Sequence, residues 1–394
     1  MYPPRADASS RCRHECGRKR DRSLSFKRLG KREEPDELKL AVSGPTDHGE
    51  AHIVGAAVAL VLLGFSHSKQ THGGATTSVI DAEVKEKPQC STFSEFSLTY
   101  SDSHDFAKNS IPVVTIAMSV YNGGATLREA ISSILKQSFQ YWELILMDDG
   151  SNDGAVAALE ENLDPRVHVI RDGMNLGLSS RLNQVIALAR GKYLARMDHD
   201  DIAHPERLAQ QVAFLEAHPD TSLLGTRCLS MSEAGGILGQ LPFAQTHTEI
   251  CARPWLGFSL AHPSWMGRTE WFKSHRYADP APYCCEDQEL LLRAYQASRY
   301  HALPEALLAY RVRSRTPLMK LFRTRVALAV VQIRYFASVG RYGDCLLAIG
   351  AFSIRICADV LRQAAPGIRS DVRALGIDTS REWAAILENV RKQQ

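Results

Sequence analysis

The stretch Gly191-Lys192-Tyr193-Leu194-Ala195-Arg196-Met197-Asp198-His199-Asp200-Asp201 decides how this chain is read. Gly191 stops the segment before it, Tyr193–Met197 is a short β-favouring run, and three carboxylates follow at once. Upstream, Ser180–Arg190 carries Leu182, Val185, Ile186 and Ala189 on one helical face. Downstream, Pro205 suits the first position of a helix running through Ala217. A strand flanked by two helices, with acid at its carboxyl end, is the unit from which the rest is read.

Outward from it the same alternation repeats. Val113–Val120 is almost continuously β-favouring, as expected of a strand buried on both faces. Thr126-Leu127-Arg128-Glu129 reads as a capping box opening a helix with Leu127, Ala130, Ile131, Ile134 and Leu135 on one side. Glu143–Met147 predicts a second strand, Ala155–Asn162 a short helix and Val167–Ile170 a third strand. This β-α alternation implies a parallel sheet with right-handed crossovers and helices on its faces. After Gly225 the pattern loosens, around Trp255, Trp265 and Trp271, and a helix is expected over Glu286–Ala297. Two apolar-rich helical segments follow, Leu318–Val339 and Tyr342–Gln363, both interrupted by arginines, so neither is a clean transmembrane span.

The 394 residues, 44% hydrophobic and 23% charged, have the composition of an ordinary globular protein. Lys+Arg 47 against Asp+Glu 44 leaves a charge of +3, which gives no reason to expect nucleic acid as a partner. Nine cysteines, odd in number and unevenly spaced, do not form a disulfide framework, and adjacent Cys284 and Cys285 suit neither a metal knuckle nor a redox pair. A reducing, cytoplasmic compartment is the expectation. Arg11–Arg32 is crowded with basic residues before the chain turns acidic at Glu33, Glu34, Asp36 and Glu37. The organisation expected is a disordered charged leader (1–50), a short hydrophobic segment (51–66), a linker (67–110), one α/β domain (111–315) and a helical C-terminal region (316–394). Ile53–Phe65 falls short of the ~20 residues of a spanning helix, which leaves a weak anchor and a non-functional leader as its two readings.

In an open α/β sheet, ligands bind beyond the carboxyl ends of the strands. Here those ends are Ser119-Val120-Tyr121-Asn122, Asp148-Asp149-Gly150-Ser151, the Asn175-Leu176-Gly177 that strand three runs into, and Asp198-His199-Asp200-Asp201. A dinucleotide fold needs G-x-G-x-x-G after its first strand, and Gly123-Gly124-Ala125-Thr126 fails that pattern. A diphosphate facing carboxylates is repelled unless a divalent cation lies between them, so Mg²⁺ or Mn²⁺ is expected. Asp198 and Asp200, two apart at a strand end, suit one ion and an adjoining ribose. The bland alternative is a solvated turn in which Asp201 caps the helix that Pro205 begins.

These pieces together resemble the family-2 glycosyltransferases, which have the GT-A nucleotide-diphospho-sugar fold. The resemblance runs from Ile111 to about Arg313 and includes Ala195–Asp201, Pro205-Glu206-Arg207-Leu208, His262-Pro263-Ser264, Glu286-Asp287 and Tyr310-Arg311-Val312. It implies a GT-A type open, mostly parallel sheet with helices on both faces, extended by C-terminal helices. It further implies that Ser119, Tyr121, Asn175 and Gly177 help hold the donor, with the Tyr121 ring against the base. Asp149 would accept from the base, which favours uracil and a UDP-sugar. Asp198 would face ribose and metal, Asp200 would be the principal metal ligand, and Asp287 the general base. Leu224–Phe258 and Cys284-Cys285 depart from what the family leads one to expect.

The activity implied is transfer of a sugar to a hydroxyl of a saccharide or lipid-linked acceptor, with inversion, in cell-envelope or extracellular polysaccharide or glycolipid synthesis. One base opposite the leaving group gives direct displacement. A catalytically silent scaffold on the same fold and a nucleotidyltransferase are the competing readings; the second normally carries a glycine-rich basic loop that is absent here. Arg196 or Arg313 could place positive charge near the phosphates or lie on the surface, His262 orients a loop, and the tryptophans stack on sugar or fill the core. Leu321, Phe322, Ala329, Val330, Ile333 and Phe336 of the first C-terminal segment are expected to dock on the catalytic domain. The arginine-flanked stripe Leu346, Ile349, Phe352, Ile356 and Val360 has two readings, packing against that domain or peripheral contact with the cytoplasmic face of a membrane, with catalysis independent of the C-terminal region.

Overall fold

The computed structural model describes residues 111–161, 163–313, 316–364 and 373–392. The expected leader, apolar segment and linker lie outside the described residues. The first half follows the expected alternation: β1 (Val114–Val120), α1 (Gly124–Leu135), β2 (Trp142–Asp148), α2 (Ala155–Glu160), β3 (Val167–Arg171), α3 (Leu178–Leu188) and β4 (Tyr193–Arg196). β1 pairs in parallel with β2 and β4, and β2 with β3. The unbroken apolar run of β1 has a simple cause. Val114, Ile116, Met118 and Val120 pack with Leu127, Ile131 and Ile134 of α1, while Ala117 joins Leu182, Val185 and Ile186 of α3 on the other face.

Several local expectations are corrected. The capping box does not form, because α1 starts at Gly124, two residues before Thr126. Thr126 Oγ1 instead donates back to the Gly123 carbonyl at 2.8 Å, and Glu129 is drawn away to Arg311 at 2.6 Å. Pro205 precedes α4 (Arg207–Ala217) rather than opening it. α3 begins early, at Leu178, because Gly177 adopts φ 84° and turns the chain straight into the helix.

Beyond β4 the sheet becomes mixed. β5 (Ile202–Ala203), β6 (Leu223–Met231), β7 (Ile237–Gln240), β8 (Met266–Arg268) and β9 (Tyr300–Arg311) extend it in the order β3-β2-β1-β4-β8-β6-β9-β5, with β7 also on β6. β8 runs antiparallel to β4 and β6, and β9 parallel to β6. α5 (His247–Ile250), α6 (Thr269–Ser274) and α7 (Glu286–Ala294) lie in the connections, α7 ending three residues before the expected Ala297. The result is the GT-A type open sheet, with helices packed on both faces.

Three helices follow: α8 (Leu318–Ser338), α9 (Tyr342–Ala364) and α10 (Ile377–Arg391). α8 buries Phe336 in the same core as Leu290 and Leu291 of α7, and Gln332 Nε2 donates to the Pro254 carbonyl at 2.9 Å. α10 presses Trp383, Leu387 and Val390 against Ile202, Leu229, Met231 and Ala309. The C-terminal helices are therefore part of the packing of the sheet domain. No described helix is long and apolar enough to cross a membrane.

Candidate active site

Parallel strands deliver their carboxyl ends to one edge, and the turns there are laced together. Asn122, at φ 53°, donates its N–H to Ser151 Oγ at 3.0 Å and accepts from the Asn152 N–H through Oδ1 at 2.9 Å. The Asp149 N–H donates to the Val120 carbonyl at 2.8 Å. Ser119 is buried, and its carbonyl lies 3.2 Å from His199 Nδ1, while Tyr121 is exposed.

Asp149 is buried and heavily committed. Oδ1 accepts from Leu176 N at 2.7 Å, from Gly177 N at 3.2 Å and from Arg181 Nε at 2.9 Å; Oδ2 accepts from Gly177 N at 3.1 Å. Asn175 Nδ2 donates to the Asp149 carbonyl at 3.0 Å. Asp149, Asn175 and Gly177 thus form one bracket, locked by the buried guanidinium of Arg181, which also pairs with Asp172 at 2.6 Å. Arg181 was not singled out from the sequence. Its only signal there is its place at the edge of the apolar arc of α3, between Leu178 and Leu182.

At the end of β4 the acidic run closes on itself. Asp198, Asp200 and Asp201 each offer an oxygen within 4.8 Å of the others. Asp201 is no helix cap: Oδ1 accepts the Arg311 N–H at 2.8 Å, and buried Oδ2 has no hydrogen-bond partner. Burial, then the neighbouring carboxylates, raise Asp200 above the usual carboxylate range and Asp201 well above it. Three carboxylates crowded in this way, one with an orphaned buried oxygen, fit a hard divalent cation with oxygen ligands. Asp201 thereby joins the two residues that the sequence marked. Opposing positive charge comes from Arg196, buried and 2.5 Å from Asp198 Oδ1 through Nη2, and from Arg311, whose Nε donates to the Asp200 carbonyl at 2.7 Å. Arg196 is thus a core cation beneath the site, with Nε and Nη1 unpartnered.

A cavity of about 690 Å³ opens beside this loop. Gly177, Arg196, Asp198, His262, Glu286 and Asp287 line it, with Cys284 and Tyr310 in its wall. Of the residues singled out, it brings Gly177, Asp198 and Asp287 together; Ser119, Tyr121, Asp149, Asn175 and Asp200 do not line it. Asp287 sits in the first turn of α7, where a helix dipole favours a carboxylate. Burial nevertheless raises its pKa, and Glu286 is raised likewise by burial and by Asp287. Gln288 Nε2 donates to Asp287 Oδ2 at 3.0 Å, and Gln288 Oε1 accepts from the Phe258 N–H at 2.8 Å, which ties the acidic turn to a neighbouring loop. His262 is buried and shares a 2.6 Å hydrogen bond with the Tyr277 hydroxyl. Burial and nearby Arg196 hold it well below the ordinary histidine range, so it serves as a neutral loop strut.

Comparison with known proteins identifies the family. Residues 115–276 match the model of the family Glycosyl transferase family 2. An uncharacterized glycosyltransferase of Methanocaldococcus jannaschii is 30% identical over 210 residues, covering 52% of this chain and 72% of that one. The chain belongs to glycosyltransferase family 2. EpsE of Bacillus subtilis (strain 168), a glycosyltransferase by name, is 42% identical over 130 residues, 32% of this chain and 47% of its own length. WfgD of Escherichia coli is 32% identical over 103 residues, 26% of this chain and 41% of its own; its name describes a UDP-Glc:alpha-D-GlcNAc-diphosphoundecaprenol beta-1,3-glucosyltransferase. This glycosyltransferase chain therefore spans about half the length of EpsE.

Proposed function

We propose that the protein transfers a sugar from a UDP-sugar to a hydroxyl of a saccharide or lipid-linked acceptor, with inversion, in cell-envelope or extracellular polysaccharide synthesis. The observation that carries this reading is that Asp198, from the acidic loop, and Asp287, from α7, line one cavity. Asp198, Asp200 and Asp201 would hold Mn²⁺ or Mg²⁺, and such an ion, when bound, stabilises the negative charge that develops on a departing diphosphate. The protein's own groups do the rest. Asp287 takes the acceptor's proton during attack, since an alcohol is a poor nucleophile at neutral pH. Its raised pKa makes it a stronger base than an exposed carboxylate. Arg196 holds Asp198 in place from below. The exposed Tyr121 ring offers a face for the base, and Asp149 Oδ2, with a single amide on it, keeps an acceptor position for the uracil N–H.

The acceptor class draws on the printed activity of WfgD, which acts on a polyprenyl-diphosphate sugar. We place the protein on the cytoplasmic side, in peripheral contact with the membrane through its C-terminal helices, with residues 111–315 as the catalytic part. The test is a screen of UDP-, GDP- and dTDP-sugars for hydrolysis and transfer with and without Mn²⁺. Mn²⁺-dependent turnover of a UDP-sugar is expected, with the anomeric configuration of the product opposite to that of the donor. Tight nucleotide binding with no turnover of any donor would favour a silent scaffold instead.

A further inference from the structure

α9 is turned inside out for a surface helix. All its ionic groups but Arg362 are tied to neighbours on the inner side: Asp359 is buried and pairs with Arg325 at 3.0 Å, Asp344 pairs with Arg341 at 2.5 Å, and Arg355 donates to the Leu256 carbonyl. Its outward face carries Leu346, Leu347, Gly350, Ile354, Val360 and Leu361. Leu346 is 70% exposed, Ile354 72% and Leu361 61%. At about 100° per residue these positions share an arc of about 140° that contains no charged side chain. The stripe begins at exposed Tyr342 and runs for about 30 Å, and exposed apolar side chains gathered in one strip mark an interaction surface. Exposed Leu318 and Met319 of α8 lie beyond its far end, where Gln363 Nε2 donates to the Thr316 carbonyl at 3.0 Å. Of the stripe read from the sequence, Leu346 and Val360 belong to this open face, whereas Ile349, Phe352 and Ile356 are half-buried, with the Phe352 ring 6.5 Å from Phe322 of α8.

We propose that this face of α9 seats on an anionic lipid surface. Charge selects that occupant. Between Leu318 and Ala364 the chain has seven Lys and Arg against two Asp, and both Asp are paired with arginine. Arg323 and Arg334 of α8 and Arg362 of α9 are exposed, the last 3.6 Å from Asp359. An uncharged apolar strip on a strongly basic helix pair, neither member of which can cross a bilayer, is the arrangement of an interfacial helix. The strip also adjoins the site. The Arg323 guanidinium lies 4.4 Å from the Tyr283 ring centre, and Tyr283 stands between Pro282 and Cys284, which line the cavity. A bilayer under α9 therefore brings lipid-anchored acceptors to the cavity's rim.

This deepens the membrane contact proposed above and rests on it, while the identity of the donor does not enter. The test is flotation of the full chain with vesicles of phosphatidylglycerol and phosphatidylcholine in equal parts, against phosphatidylcholine alone. Wild type is expected to float with the anionic vesicles only. The double variant Leu346→Glu/Ile354→Glu should partition about tenfold or more weakly. Its melting temperature and vesicle-free donor turnover should hold, since both side chains are exposed, and Ile354→Ser should be intermediate. Equal flotation of the double variant and wild type would reassign the contact to another surface and overturn this inference alone. Wild type that floats with no vesicle would overturn the membrane contact as well. A dimer in sedimentation that the same substitutions dissociate, without flotation, would give the strip to a second copy of the chain.

Discussion

Arg311 Nε donates to the main-chain carbonyl of Asp200 at 2.7 Å, and the N–H of Arg311 donates to Asp201 Oδ1 at 2.8 Å. One residue of β9 therefore pins the far end of the acidic loop, while Arg196 of β4 pairs with Asp198 at its start. Arg311 Nη2 reaches Glu129 of α1 at 2.6 Å, and Arg391 of α10 approaches the same carboxylate at 3.6 Å. The loop is shaped from behind by elements distant in the chain, and removing that support should loosen it without touching a carboxylate.

Arg311→Met is accordingly expected to weaken Mn²⁺-dependent binding of UDP by about tenfold and to cost about 2–3 kcal/mol of stability, because Glu129 loses its buried partner. Calorimetric titration of UDP with and without Mn²⁺ measures the first effect. Binding that stays at the wild-type level would show that the loop holds its shape unaided.

The acidic cluster supplies a second expectation. Crowded, buried carboxylates cost stability when no cation is near, so Mn²⁺ should raise the melting temperature of the wild-type chain. Asp200→Ala should abolish that rise while leaving the far-ultraviolet circular dichroism unchanged. Full turnover in excess EDTA would refute the metal assignment.

Asp287→Asn keeps the shape of the side chain but cannot take a proton. Turnover should drop by about 10²–10⁴-fold with nearly unchanged donor affinity. The sign for pH follows from the raised pKa. The working form is ionised, so the acid limb of kcat should lie above the usual carboxylate range, with rate falling as pH falls through it. For stability the sign is opposite: the fold disfavours the ionised form, so the cost of burying it grows as pH rises through that window. Asp287→Asn should thus melt slightly higher than wild type near neutral pH, and a lower melting temperature would argue against it.

Trp383 of α10 is fully buried against strands that flank the acidic loop. Trp383→Ala should cost about 3–5 kcal/mol. A truncation after Thr316, which would also strip Phe336 from the central core, is expected to give an insoluble or unfolded product. This replaces the expectation that catalysis is independent of the C-terminal region. Chemical denaturation of the point variant and solubility of the truncated chain provide the check.

How much of the molecule was legible depended on contact range. β1, β2 and β4 announce themselves because a strand covered on both faces must be largely apolar, whatever covers it, and edge strand β3 still shows through Val167, Val169 and Ile170. β5, β7 and β8 are two to four residues long, too short for alternation to show, and β9 is broken by Pro304-Glu305 in its middle. Asp198 and Asp200 could be picked out because two carboxylates two apart at a strand end suit one ion, and Asp287 only through the resemblance to the family. Asp201 and Arg181 could not, since an acid before a helix and an arginine near an apolar arc are commonplace until their partners are known.

By itself, then, the sequence determined the β-α order of the first half, the acidic rather than glycine-rich strand ends, and the apolar character of the C-terminal helices. Those features are set by local periodicity and by side-chain chemistry that does not depend on neighbours. The tertiary structure alone decided that β8 enters antiparallel beside β4, that Arg311 and Arg181 are the ties that shape the site, and which arc of α9 is left open. Each of these turns on groups far apart in the chain meeting at hydrogen-bond or van der Waals distance, and a pattern read along one strand or one helix holds no record of what packs against it.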